Sequence, residues 1–119
     1  MPMSWDVEAT DEFTDWYTGL TDVHAEAVDA AVDRLIEKGP ALGRPIADTI
    51  QGSRLANLKE LRMAGTLRVF FAFDPRRTAI LLLGGDKRGD DRFHVDRVPL
   101  AERLYEEHVE TLRAEGLIN

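Results

Sequence analysis

The sequence contains no cysteine. That excludes a disulfide framework and a thiolate nucleophile, and it leaves any metal site to three scattered histidines and to carboxylates. No metal and no cofactor are expected. Long hydrophobic runs are missing as well, since no apolar stretch approaches the ~20 residues of a membrane span. The start Met1-Pro2-Met3-Ser4-Trp5 has neither a basic region leading into an apolar stretch nor a cleavage signal. A soluble, cytoplasmic protein with no membrane partner is the expectation. Internal repeats and low-complexity tracts are also absent, so residues 1–119 are expected to form one domain.

A cationic excess is lacking too. The net charge is -7, which counts against a nucleic-acid partner, because phosphate binding draws most of its free energy from Lys and Arg. The charge is segregated, however. Residues 1–37 hold ten acids against the single base Arg34, whereas residues 38–92 hold eleven bases against six acids. A local basic field can therefore exist on an acidic protein, and a strand within a Debye length of ~8–10 Å responds to that local field.

What is present is a clear apolar pattern, with 44% hydrophobic residues over 119 positions, enough for one hydrophobic core. Trp5 to Glu8 alternates as a short strand. Thr10 or Asp11 caps a helix with Phe13, Trp16, Tyr17 and Leu20 on one stripe, ending near Gly19. A second helix spans about Val23 to Lys38, with Val28, Ala31, Val32, Leu35 and Ile36 inward and Glu26, Asp29, Asp33 and Glu37 outward. Gly39-Pro40 stops it, and residues 39–55 read as a structured loop anchored by Leu42, Ile46, Ile50 and Leu55. Three strands follow, 58–63, 67–73 and 78–83, joined by turns too short for parallel crossovers. A flexible charged loop over 84–91 then leads to a helix opened by Pro99. The expected fold class is α+β: a small antiparallel sheet, mixed at its edge, with two N-terminal helices and a C-terminal helix packed largely on one face.

Four segments, Gly39-Pro-x-Leu-Gly-Arg-Pro45, Leu58-Lys-Glu-Leu-Arg62, Leu67-Arg-Val-Phe-Phe-Ala-Phe-Asp74 and Leu83-Gly-Gly-Asp-Lys87, closely resemble the phage-type HigB branch of the RelE toxin superfamily. The resemblance runs in order along nearly the whole chain. It implies a RelE-like fold and a toxin of a type II toxin–antitoxin system, which cleaves messenger RNA on the ribosome without metal or cofactor. It also implies a cognate helix-turn-helix antitoxin as partner, with operator DNA reached only through that antitoxin. A non-catalytic RNA-binding or protein-interaction module of the same fold is the alternative.

Metal-free RNA cleavage needs a base for the 2′-hydroxyl proton, cationic donors for the phosphorane and an acid for the departing 5′-oxygen. Strand alternation puts Arg68 with Phe70 and Ala72, opposite Leu67, Val69, Phe71 and Phe73. The resemblance gives Arg68 a phosphate-binding role. Arg62 shares parity with Glu60 and either joins Arg68 or pairs with that glutamate. Lys59 falls on the parity of Leu61 and Met63, toward the core, although the resemblance places a catalytic lysine near it. Lys87 and Arg88 follow a Gly84-Gly85 pair suited to close approach of a ligand, and Lys87 belongs to the family signature. His94 stands where the family usually has a tyrosine, so that His94 and Phe93 could divide proton transfer and base stacking between them. His24 and His108 read as structural. The catalytic candidates are thus Arg62, Arg68, Lys87 and His94, and the substrate-binding candidates Lys59, Arg88 and Phe93.

Overall fold

Two threonines start the N-terminal helices. In the computed structural model, which describes residues 4–63 and 65–119, the Thr10 hydroxyl accepts from the Phe13 amide at 3.0 Å and opens α1 (Asp11–Thr18). Thr21 likewise accepts from the His24 amide and opens α2 (Asp22–Lys38). Each hydroxyl satisfies an amide that the first helical turn leaves without a carbonyl. The start Met1–Met3, searched above for a targeting signal, lies outside the described residues.

The strands are β1 (Val7–Ala9), β2 (Ala47–Thr49), β3 (Lys59–Arg62), β4 (Leu67–Phe73) and β5 (Ala79–Asp86). They form one sheet in the order β1-β5-β4-β3-β2, with β1 parallel to β5 at one edge and every other pair antiparallel. This is the α+β sheet, mixed at its edge, that the pattern implies. β2 is an addition, a three-residue strand inside the stretch expected to be loop, held by Ala47 opposite Leu61 and Thr49 opposite Lys59. β5 also runs farther than expected, through Gly84, Gly85 and Asp86.

The helices do not share one face. α1 and α2 cover Leu61, Val69, Phe71 and Leu81, while α3 (Phe93–Ala114) covers Phe70, Ala72, Ile80 and Leu82 on the other side. The physical reason lies in β4, whose Val69-Phe-Phe-Ala72 run is apolar at both parities and therefore must be buried on both faces. No helix of the described residues is long and apolar enough to cross a membrane.

α3 begins at Phe93, not at Pro99, which lies inside it. Proline has no N–H, so the Val95 carbonyl loses its intrahelical donor. The break lies on the solvent side of α3, where Val95 is 60% exposed.

The Gly84-Gly85 pair serves packing. A Cβ at Gly84 would lie 2.3 Å from the Trp16 ring on the α1 side, and one at Gly85 would lie 2.9 Å from both Phe93 and Arg97 on the α3 side. The two glycines thus admit a helix to each face of one strand end, rather than a ligand as the sequence suggested.

The turn between β4 and β5 is organised by Asp74, whose side chain is fully buried. It accepts from the Arg76 and Thr78 amides, from the Arg76 guanidinium at 2.8 Å, and is joined to His108 Nε2 of α3 at 2.9 Å. Arg76 also reaches Glu8 of β1 at 2.9 Å. Burial alone would push the Asp74 carboxyl up; the hydrogen bonds from His108, Arg76 and Thr78 outweigh it and hold its pKa below the ordinary carboxylate value.

Two outcomes follow from these contacts. Gly84→Ala is expected to lower the unfolding free energy by about 1–3 kcal/mol in urea, while Gly43→Ala, where a Cβ meets nothing within 4 Å, should be near neutral. Because the folded pKa of Asp74 is depressed, its contribution is complete above the unfolded value of about 4 and is lost as pH falls through the lower folded value. Asp74→Asn should cost about 3–5 kcal/mol at pH 7, and the gap to the parent should narrow in urea titrations taken below pH 4.

Candidate active site

Beyond the cover of α3, the same sheet face ends in a cleft of about 570 Å³. The register of β3 and β4 sets Arg62 directly opposite Arg68, and the register of β2 and β3 sets Asp48 opposite Glu60. Lys87 enters from the end of β5, where its amide donates to the Thr66 carbonyl at 3.0 Å. His94 enters from the first turn of α3. Four of the expected residues, Arg62, Arg68, Lys87 and His94, thereby line one concavity.

The acidic residue at its centre is Glu60, with a side chain only 5% exposed. One oxygen accepts from Arg62 Nε at 3.0 Å, and the other lies 2.8 Å from His94 Nε2. The carboxylate therefore orients the imidazole, whose ring also stands edge-on to Phe70 and Phe93. Arg62 is matched a second time, by Asp48 at 3.3 Å, which Arg44 holds from outside at 3.0 Å. Desolvation opposes ionisation of Asp48, but hydrogen bonds from the Thr49 amide and Arg44, with the charges of Arg44 and Arg62, keep its pKa below the usual range.

Arg68 differs from Arg62. It is buried, with 9% exposure, and its terminal nitrogen donates to the Leu67 and Gly65 carbonyls at 2.9 and 3.3 Å. Among the described residues no carboxylate pairs with it, and its Nε has no hydrogen-bond partner although it is fully buried. Unpartnered buried donors are rare because each costs roughly 1–3 kcal/mol. Lys87 likewise has no carboxylate partner among the described residues. The cleft thus contains two unmatched cations beside an imidazole held by a buried carboxylate, an arrangement that can bind a phosphodiester and move a proton next to it.

Three expected residues fall elsewhere. Phe93 is 1% exposed, packed on Phe70 and covered by the Arg97 guanidinium at 4.3 Å; it is a core residue and offers no stacking surface. Lys59 stands opposite Phe71, on the parity of the α1–α2 core, so no bulge re-aims it into the cleft. Arg88 is exposed on the turn after β5 and does not line the cavity. Arg68 itself is not the solvated surface residue that a one-faced sheet would have made it. Glu60 was weighed as an ion-pair partner of Arg62, a pair the structure contains at 3.0 Å, and not as a partner of His94; Asp48 was passed over. The parity shared by Glu60 and Arg62 was the available signal.

Residues 15–106 match the model of the family described as phage derived protein Gp49-like. The chain is 46% identical to the toxin HigB3 of Mycobacterium tuberculosis over 76% of this chain and 82% of that protein. It is 41% identical to the toxin HigB2 of the same organism over 79% of this chain and 49% of that longer protein. Its fold is similar to that of the isolated RelE toxin of Escherichia coli, with a TM-score of 0.62, 9% identity and coverage of 80% of this chain and 99% of the other. It is also similar to a chain of the archaeal RelE–RelB complex of Pyrococcus horikoshii, with a TM-score of 0.59, 19% identity and coverage of 74% of this chain and 99% of the other.

The burial of Arg68 changes what its removal should do. Arg68→Ala is expected to cost about 1–3 kcal/mol of stability through lost backbone hydrogen bonds and stem packing. Lys87→Ala should stay within about 0.5 kcal/mol of the parent. Urea unfolding of the two variants side by side checks both.

Proposed function

The chain belongs to the Gp49-like family and to the RelE/HigB superfamily of toxins of toxin–antitoxin systems, and from that premise we propose that it is a ribosome-dependent endoribonuclease acting on messenger RNA in the cytoplasm. The observation that supports this most is the unpartnered, buried Nε of Arg68 beside the His94–Glu60 pair. Arg68 and His94 line the same cleft, so a phosphate drawn to the unmatched guanidinium stands beside the imidazole.

In this reading His94 takes the 2′-hydroxyl proton. The 2′-oxygen attacks the adjacent phosphorus, the bond to the 5′-oxygen breaks, and the leaving oxygen takes up a proton from water. The products are a 2′,3′-cyclic phosphate and a 5′-hydroxyl. Arg68 and Lys87 neutralise the charge that grows on the phosphorane oxygens. Glu60 fixes the orientation of the imidazole. Arg62 acts on substrate only through Glu60, since its own charge is matched by two carboxylates. A helix-turn-helix antitoxin silences the chain, and operator DNA is reached only through it. The exposed carboxylates Glu26, Asp29, Asp33 and Glu37 lie on α2, across the sheet from the cleft, where like charge keeps RNA away and a protein partner can bind.

The reaction is tested on ribosomes programmed with a defined message. Arg68→Lys, which keeps the charge but not the planar donor set, and Lys87→Ala should each cut about 10²–10³-fold more slowly. His94→Phe, which keeps ring contacts but transfers no proton, should lose about 10²–10⁴-fold. Cleavage should persist in EDTA. Binding to ribosomes without any cut would support the non-catalytic alternative, and parental rates in all three variants would remove the assigned site.

A further inference from the structure

The cleft does not stop at His94. A second concavity of about 300 Å³ adjoins it, bounded by Val95, Val98, Pro99 and Glu102 of α3 and sharing both Gln51 and His94 with the first. We propose that this second concavity is a nucleobase subsite, in which Gln51 reads the edge of a base flanking the scissile phosphate; the inference rests on the reading of the first cleft as a phosphodiester site.

The two halves of the groove differ in chemistry. The first contains the unmatched Arg68 and Lys87, whereas the second has no Lys or Arg in its wall and includes the Glu102 carboxylate. A hydrogen bond from Ser53, against desolvation and with the help of the Arg54 amide and charge, holds the Glu102 carboxyl below its usual pKa. Glu102 is paired with Arg54 at 3.0 Å and adds no free cation to the wall, so a strand laid along the groove is polarised by the first cleft: phosphate at Arg68, base at Val98. The volume is at the bottom of the ~300–1,000 Å³ range of small-molecule pockets, enough for one base and too small for a further nucleotide. Val95, Val98 and Pro99 supply apolar contact for the flat face of a base, and Val95 is 60% exposed.

Two features make Gln51 the reader. Its amide makes no hydrogen bond among the described residues and is exposed, so one donor pair and one acceptor are available together. The segment that carries it is fixed, because Glu102 accepts from Ser53 Oγ at 2.7 Å, from the Arg54 amide at 2.8 Å and from the Arg54 guanidinium at 3.0 Å. Glu102 is thus a positioning residue that pins residues 53–54 to α3 and sets where Gln51 stands. Pro99 adds the Val95 carbonyl, which has no i+4 donor, at the same wall.

The test uses the full chain and 2′-deoxy trinucleotides, which lack the attacking hydroxyl, beside the same trinucleotides with an abasic central position. Backbone amide shifts are followed by NMR. The intact oligonucleotides should shift residues 51 and 95–98 as well as Lys87, and the abasic ones Lys87 alone. Affinity for the four central bases should differ by about tenfold or more in the parent and level out in Gln51→Leu. Equal shifts at 51 and 95–98 with and without the base, no shift there at all, or an unchanged base ranking in Gln51→Leu would overturn the inference. Loss of ribosomal cleavage with the base-dependent shifts intact would overturn the reaction and leave the subsite standing.

Discussion

The sheet depends on one constraint, that β4 is apolar on both of its faces and must be covered on both. Val69 and Phe71 require α1 and α2; Phe70 and Ala72 require α3. A single long helix laid across a twisted sheet cannot cover the whole of one face, and the part that α3 leaves open is the end of β4 that begins with Leu67 and Arg68. The cleft is therefore a consequence of the packing. Its polar residues come from β2, β3 and β4, from the end of β5 and from the first turn of α3, at the uncovered end of an otherwise buried face.

Charge is distributed there unequally. Glu60 and Asp48 are spent on Arg62, with Arg44 closing the chain of ion pairs at the rim. Desolvating such a network gains little net stability, because the Coulomb attraction is offset by the cost of removing charges from water. Its effect is geometric: the carboxylate between Arg62 and His94 cannot rotate away from the imidazole without abandoning one partner. Arg68 is treated in the opposite way, buried beside two backbone carbonyls and denied a counter-ion. A fold selected for stability alone would not keep that combination. On the proposed reading the combination has a use, since a guanidinium without a counter-ion leaves its charge for an anion in the cleft.

Much of this was legible in the sequence, and the failures have identifiable causes. The first helix cap, narrowed to Thr10 or Asp11, the antiparallel β3–β4–β5 meander and the gathering of Arg62, Arg68, Lys87 and His94 follow from periodicity, turn chemistry and the order of the motifs, whereas the Thr21 cap was not anticipated. The helix on the second face was missed because alternation was read against a single core, although the Val69-Phe-Phe-Ala72 run itself signals a strand buried on both sides. The start of α3 was misplaced because Pro99 was taken as an opening residue, whereas it sits inside the helix on its exposed side. Phe93 was misread for the same reason: placed at a strand end it would be a free ring, but in the first turn of α3 it fills the space above Gly85. β2 was illegible because its three residues carry no period of their own and are ordered only by pairing with β3.

The net charge of -7 is reconciled with an anionic substrate by where the acids stand. α2 presents Glu26, Asp29, Asp33 and Glu37 on the side of the sheet opposite the cleft, and α3 lines its own solvent face with further carboxylates. At physiological salt the field of these groups decays within about 8 Å, so they do not cancel Arg68 and Lys87, yet they disfavour RNA everywhere else on the surface. An acidic protein with one unmatched cationic cleft has weak general affinity for nucleic acid and depends on something else to deliver the strand. That profile suits the proposed reading, in which a larger assembly already holds the strand and the cleft adds charge and proton transfer at one phosphate.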